Sequence, residues 1–237
     1  MRQFVLNLST LRHLNIFPWA SDHQLEQLLP HVSLQRVKRR TLLFPEGDES
    51  ERLYILLAGV VKLSLPNIEG EEVLVSLLRP GELFGITALM PRMQRAFRCE
   101  TFSDCWVGVV RAELFVSSLL GIPFAHFSGM MGSSVNRWFT LLYRYTRFQG
   151  LNIRQRLILA LLELAQKFGV RDARGVIISL KLTHDDLADL VGASRQRVTE
   201  HMKELETQQL LQRDGRRLIV SPQRLREVIG SENMMEA

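Results

Sequence analysis

The sequence predicts an α+β chain in which an antiparallel β-sandwich or barrel, one long helix and a winged helix-turn-helix follow one another. Three observations carry that expectation. Gly47, Gly59, Gly70 and Gly81 punctuate the first half at intervals of 12, 11 and 11 residues, the rhythm of short strands joined by turns. Near residue 122 the apolar positions change to steps of three and four, the period of a helix face. Beyond residue 183 a helix, a glycine turn, a second helix and a hairpin succeed one another, which is the winged helix-turn-helix pattern. The 237 residues amount to about 1.6 average domains, enough for a barrel and one small partner.

In the first part, Ser21-Asp22-His23-Gln24 reads as a capping box opening a short helix through Leu25, Leu28 and Leu29. The runs Leu53–Leu57, Val60–Leu65, Val73–Leu78 and Cys105–Val110 read as strands. Within them, Val61-Lys62-Leu63-Ser64-Leu65 alternates and places lysine and serine on one face. The expected barrel domain spans 14–121.

Pro123 suits the first turn of a helix over 122–149. Phe124, Phe127, Met131, Ser134, Trp138, Leu141, Tyr145 and Phe148 then form a heptad seam. A helix of about 25 residues spans roughly 38 Å and overshoots a small barrel. It reads as a dimerisation helix with Phe127, Met131, Ser134, Trp138, Leu141 and Tyr145 at the interface, although a monomer core would show a similar stripe.

The third part, 150–230, opens with Asn152 capping a helix that turns Leu157, Leu161, Leu164 and Phe168 inward and stops at Gly169 in the C′ position. Val176–Leu182 reads as a strand. Thr183-His184-Asp185-Asp186 has the form of a capping box, with aspartate for the usual Glu or Gln, before Leu187, Leu190 and Val191. Gly192 makes a tight turn, and Ser194 caps a second helix packing Val198, Met202 and Leu205. Leu210–Gln212, an Asp214-Gly215 turn and Arg217–Val220 complete a hairpin.

That second helix begins Ser194-Arg195-Gln196-Arg197, followed by Thr199 and Glu200. In a helix-turn-helix these amino-terminal residues meet base edges in the major groove. Arginine pairs bidentately with guanine, glutamine with adenine, and hydroxyls serve bases or phosphates. Arg213, Arg216 and Arg217 gather at the wing, where phosphates would lie, and Thr183 completes the expected DNA-contacting set. A solvated helix face beside a basic hairpin shares these residue types one by one, but the Gly192 turn, the Ser194 cap and the wing fall in register. The charge agrees: the chain carries +5, and residues 151–230 hold 14 Lys/Arg against 10 Asp/Glu, a local surplus fit for nucleic acid.

The stretch Thr41–Met90 and the stretch Leu180–Val220, in the order barrel, long helix and Gly-x-Ser-Arg helix, resemble the Crp–Fnr superfamily of bacterial transcription regulators from about Leu14 to Val220. The resemblance implies an eight-stranded jelly-roll sensor domain, a homodimer through the long helix, and a winged helix on a palindromic double-stranded DNA operator, with RNA polymerase as the protein partner. The family's base-reading positions fall on Arg195, Gln196, Thr199 and Glu200. Many members carry Glu in place of Gln196 and Arg in place of Glu200, so the familiar half-site sequences do not transfer.

The family's phosphate-binding cassette falls on Phe84-Gly85-Ile86-Thr87-Ala88-Leu89. Ile86 stands where cyclic-nucleotide binders carry the ribose-binding Glu, Arg95-Ala96 replaces the Arg-Ser pair, and Leu141-Leu142 replaces the purine-binding Thr-Ser. Arg98 competes with Arg95 for the phosphate position. Buried cAMP would leave polar groups without partners, so cAMP is not the expected effector. The implied site, Gly85, Ile86, Thr87, Ala88, Leu89, Arg95 and Leu141, suits a small anion. The cassette, Phe168-Gly169-Val170 and Leu180-Lys181-Leu182 are similar to the 2-oxoglutarate-sensing nitrogen regulators of cyanobacteria, which implies a dicarboxylate with Arg137 or Arg144 as a second clamp. Two alternatives stay open. Arg95 pairs with a surface acid and the regulator works without ligand, or the barrel is a module acting on a protein partner.

Other classes find little support. No nucleophile–base pair stands out, and Gly81-x-x-x-Gly85 lacks the P-loop lysine, so an enzyme is not expected. Cys99 and Cys105 form no metal-spaced set, no metal is expected, and a lone His126 is a weak haem ligand. No run approaches the roughly 18 apolar residues of a membrane span, and a cytoplasmic place away from membranes is expected.

Overall fold

A computed structural model describes residues 4–14, 17, 18, 20–119 and 150–235, together with 132, 135, 138, 139, 142, 146 and 148. The chain divides into two compact units, Met1–Leu141 and Leu142–Ala237.

The first unit contains α1 (Leu8–His13), α2 (Asp22–Leu28), β1 (Ser33–Val37), β2 (Leu42–Phe44), β3 (Arg52–Ala58), β4 (Val61–Pro66), β5 (Glu72–Leu78), β6 (Leu83–Phe84), β7 (Arg98–Thr101), β8 (Cys105–Arg111) and α3 (Ala112–Ser118). The Ser21 capping box forms as expected, closing α2 with Gln24. The strands make two four-stranded antiparallel sheets ordered β1-β8-β3-β6 and β2-β7-β4-β5, the jelly roll implied by the family resemblance. Strand β3 explains its own unbroken apolar run. Leu53, Ile55 and Leu57 face a cluster with Leu11, Leu25, Leu28 and Phe115 of the helices, while Tyr54 and Leu56 face Phe44, Leu63, Phe84 and Val107 between the sheets. A strand covered on both faces has no polar side to alternate with.

Strand β4 departs from the expected alternation. Its register against β5 shifts between Leu63 and Ser64, and Ser64 is only 1% exposed. The serine is tolerated in the core because its hydroxyl donates to the Glu72 carboxylate, which removes the cost of an unpaired buried hydroxyl. A bulge of this kind resets which side chains point inward.

The second unit contains α4 (Ile153–Phe168), β9 (Gly169–Asp172), β10 (Gly175–Ile178), α5 (His184–Val191), α6 (Arg195–Thr207), β11 (Leu211–Asp214), β12 (Arg217–Val220) and α7 (Pro222–Met235). Asn152, Thr183 and Ser194 cap α4, α5 and α6 as expected, and α4 buries Leu157, Leu161, Leu164 and Phe168. The sheet is larger than the expected hairpin: four antiparallel strands in the order β11-β12-β10-β9.

Three expectations need correction here. The helix stops at Gly169 as expected, but the glycine does not make the left-handed turn usual at C′; its φ is −83° and it opens β9. Glycine is required there because a Cβ would lie 2.0 Å from the Ala165 carbonyl oxygen and 2.4 Å from Val176. The Phe168 carbonyl instead accepts both the N–H (2.9 Å) and the hydroxyl (2.8 Å) of Ser179. The strand expected over Val176–Leu182 ends at Ile178, where those Ser179 bonds take the chain out of the ladder. Finally, Asp214 pairs with Arg217 in the ladder, so the hairpin loop is Gly215-Arg216 and not Asp214-Gly215. Gly215 has φ +60°, the positive value that the first position of a two-residue hairpin loop demands.

Of the residues expected at a dimer interface, Phe127, Met131, Ser134, Leu141 and Tyr145 lie outside the described residues. Trp138 is helical and 52% exposed.

Candidate DNA interface and effector cavity

The helix-turn-helix is built from three local devices. Thr183 accepts the Asp186 N–H at 3.1 Å, and the Asp186 carboxylate accepts the Thr183 N–H at 2.7 Å, so the box works with the shorter acid. Gly192 ends α5 in the left-handed conformation, φ +63°. Ser194 accepts the Arg197 N–H at 3.4 Å. Together they fix the start of α6, which buries Val198, Met202 and Leu205. Arg195, Gln196, Arg197, Thr199 and Glu200 are left exposed on the remaining surface.

Those exposed groups are tied to one another lightly. Arg195 Nε stands 3.6 Å from an Asp185 oxygen, both side chains largely exposed. The Gln196 amide donates to Glu200 at 3.1 Å, leaving its carbonyl oxygen open. Thr199 donates to the Arg195 carbonyl at 2.8 Å.

The three wing arginines separate. Arg216 and Arg217 are exposed, with no ion pair among the described residues. Arg213 is anchored: its Nε pairs with Glu206, and an Nη donates to His184 Nε2 at 2.9 Å. His184 in turn stands 2.7 Å from Thr199 through Nδ1. Burial, then the charges of Arg213 and Arg195, hold this imidazole below its ordinary value. Arg174 braces the wing base through Asp172 and Asp214.

In the first unit, a cavity of about 490 Å³, its open mouth included, lies against the expected cassette. Phe44, Leu63, Phe84, Ile86, Phe97 and Trp138 supply apolar walls, and Arg95 is the charged residue among its lining. Gly85 turns the chain with φ +71° into a 3-10 turn, Ile86–Leu89. A side chain there would crowd the Arg52 carbonyl and Arg95, so this glycine serves both the turn and the arginine. Thr87 shares a 2.7 Å hydrogen bond with Ser50. Gly85, Thr87 and Arg95 are thus brought together; Ala88 and Leu89 belong to the same turn, and Leu141 lies outside the described residues.

Arg95 is 4% exposed. It donates to the Gly85 carbonyl at 3.0 Å and the Arg52 carbonyl at 2.9 Å. Its guanidinium carbon sits 4.4 Å from the Phe44 ring centre and 5.5 Å from that of Tyr54, a pair of cation–π contacts with two rings that themselves pack 5.2 Å apart. Its Nε is buried without a hydrogen-bond partner. No carboxylate pairs with it among the described residues, which corrects the alternative of a surface ion pair. Arg98 leaves the competition, since it pairs with Glu72 and Glu100. Burial raises the Glu72 carboxyl, but hydrogen bonds from Lys62 and Ser64 and the charges of Lys62 and Arg98 outweigh it and leave the value lowered.

Cys99 and Cys105 are free and buried, and burial pushes the Cys105 thiol up, away from thiolate reactivity. Among the described residues no helix is long and apolar enough to cross a membrane, and no His/Cys/Asp/Glu group could hold a metal.

Sequence reasoning missed Phe44 and Tyr54 as the rings that hold Arg95, and His184 as a link between helix and wing. Phe44 closes β2 and Tyr54 lies inside β3, where an aromatic reads as ordinary strand core and carries no signal by itself. The only available hint for His184 was a titratable side chain directly after a helix cap.

Comparison with known proteins bears on both units. A cyclic nucleotide-binding domain family matches residues 34–120, and a Crp-like helix-turn-helix domain family matches residues 155–228. The chain is 31% identical over 194 residues to the global nitrogen regulator of Synechococcus elongatus, covering 81% of this chain and 86% of that one. It is 24% identical over 187 residues to the CRP-like cAMP-activated global transcriptional regulator of Mycobacterium tuberculosis, covering 76% and 80%. The solved structure of the c-di-GMP responsive global regulator CLP of Xanthomonas campestris matches with a TM-score of 0.73 at 22% identity, over 85% of this chain and 99% of that one, a likeness of fold. These relatives are regulators and not enzymes. Capped recognition helix, jelly roll and sequence kinship agree: the chain belongs to the Crp–Fnr family of DNA-binding transcription regulators.

Proposed function

We propose that this regulator is a cytoplasmic homodimer that reads a palindromic operator through α6 and answers to a small anionic effector other than cAMP. The observation that carries the effector reading is Arg95: a guanidinium buried in an apolar cavity that, among the described residues, is paired with no carboxylate and holds one N–H without a partner. Ile86 and Ala96 line the same cavity and offer no carboxylate or hydroxyl to a ribose or a cyclic phosphate. A compact carboxylate meets the cation at less desolvation cost than a nucleotide. A dicarboxylate is the favoured class, by likeness to the nitrogen regulators, with Arg137 or Arg144 as the second clamp.

Exposed Val135, Trp138 and Phe139 support a dimer through the helix expected over 122–149, because exposed apolar side chains grouped in this way are unfavourable in water. Two subunits place two recognition helices about one DNA turn, roughly 34 Å, apart. The effector must bind the DNA-competent arrangement better than the other one, and a coupling of about 1–3 kcal/mol is the ordinary range. RNA polymerase is the protein partner of such a regulator.

The test is selection of operator sequences from random duplex DNA, followed by affinity measurement with 2-oxoglutarate, other small carboxylates or cAMP present. The expected result is a palindromic motif whose affinity shifts with a carboxylate and not with cAMP. A cAMP response, or a motif without two-fold symmetry, overturns the reading.

A further inference from the structure

The recognition helix and the wing meet on one imidazole ring. His184, the first residue of α5, places Nδ1 2.7 Å from Thr199 Oγ1 on α6 and Nε2 2.9 Å from an Arg213 Nη on β11. The partners dictate where the ring proton sits. A guanidinium only donates, so Nε2 must accept. Thr199 gives its single hydroxyl hydrogen to the Arg195 carbonyl, so it accepts from Nδ1–H. One nitrogen bare and one protonated is a neutral ring of defined tautomer.

We propose that His184 is a positioning residue for DNA recognition: neutral, it holds Thr199 and Arg213 in one frame, and protonated it lets go of Arg213, which Glu206 alone then holds, so that discrimination between operator and unrelated DNA is lost on acidification. The proposal rests on reading Thr199 as base-facing and Arg213 as phosphate-facing. It adds a second tie to the Glu206–Arg213 pair that already joins the far end of α6 to the wing, and this second tie reaches the base-facing end of α6 through Thr199.

Protonation acts twice. It removes the Nε2 lone pair that accepts from Arg213, and it sets a cation beside Arg213 of β11 and Arg195 of α6. Glu206 of α6 and Asp185 of α5 oppose this, and burial with the two arginines prevails. A positive ring in the first turn of α5 would also meet the positive end of the helix dipole. The sign of the linkage follows. The neutral form is the one the folded chain favours, so the network is complete above the ordinary histidine value and is lost as pH falls through the lowered one.

The experiment uses the full chain at fixed ionic strength. Affinities for the selected operator and for a scrambled duplex are measured from about pH 7.5 down through the pH at which the ring is seen by NMR to take up its proton, for the wild type, His184→Gln and His184→Ala. Glutamine offers an acceptor and a donor and does not titrate. The wild-type operator-to-scrambled ratio is expected to fall roughly tenfold on acidification. His184→Gln should hold a flat ratio, and His184→Ala a low ratio at every pH. A pH-independent wild-type ratio, or a fall preserved in His184→Gln, overturns the proposal. So does tighter binding to both duplexes in acid, which would make the ring a phosphate contact. Heteronuclear NMR of the ring nitrogens in the DNA-free protein gives an independent arm. The Nδ1–H tautomer titrating below the ordinary histidine value supports the proposal, and the Nε2–H tautomer overturns it. The expected tautomer with no preference for any duplex would instead overturn the DNA-facing assignment on which the proposal stands.

Discussion

Arg95 and Arg195 carry the same side chain into opposite surroundings. Arg95 is enclosed, packed against the adjoining rings of Phe44 and Tyr54 and bonded to two backbone carbonyls. Arg195 stands in solvent beside one distant aspartate oxygen. The first is oriented before any ligand arrives, so a ligand there loses little to ordering the protein. The second gains little from its ion pair, which solvent screens, and is free to exchange Asp185 for a base edge. The chain therefore spends structure on its cavity cation and keeps its DNA cations loose. In the barrel an arginine is part of the fold, and on α6 an arginine is part of the partner's surface.

That contrast predicts where substitutions will be felt. Arg95→Ala takes a donor from the Arg52 carbonyl and from the Gly85 carbonyl, which keeps only the Ala88 N–H, and should cost about 3 kcal/mol of folding stability, read by urea denaturation. A loss below about 1 kcal/mol would erase the distinction between the two arginines. Arg195→Ala and Gln196→Ala should each leave stability within about 0.5 kcal/mol while relaxing base preference at one half-site position by about 1–3 kcal/mol. Binding to a set of single-base operator variants measures this, and unchanged preference would remove α6 from the contact. Ser194→Ala lies between the two kinds of residue. It removes the α6 cap and should lower stability by about 1 kcal/mol, seen as a lower thermal midpoint, with Ser194→Asp retaining most of it. The smallest effect is expected from Arg216→Ala, at the hairpin tip: weaker binding to every sequence alike and a salt slope shallower by about 1, with folding unaffected.

How much of this was legible in the sequence depends on the distance over which each feature is decided. The caps at Ser21, Asn152, Thr183 and Ser194 are settled within four residues, and each forms as the sequence indicates. The bulge at Ser64 was not legible, because it depends on Glu72 across the β4–β5 ladder. Strand β9 was missed because Val170-Arg171-Asp172 is an exposed edge with no buried alternation to mark it. The choice between Arg95 and Arg98 was likewise open on paper. Arg98 lies opposite Ser64 in the ladder with β4, close to Glu72, whereas Arg95 precedes β7 and turns inward under Gly85. The winged helix was readable because its signals are local and in register. The His184 link was not, since its partners lie 15 and 29 residues away.

The joint between α4 and β9 has a mechanical consequence. Phe168 ends the helix and Gly169 begins the strand, and Ser179 clamps the Phe168 carbonyl with two hydrogen bonds. A hinge needs spare residues to absorb rotation, and here there are none. In an engineer's terms the coupling has no backlash: a twist applied along α4 passes into β9 and, strand by strand through β10 and β12, arrives at the Gly215-Arg216 tip.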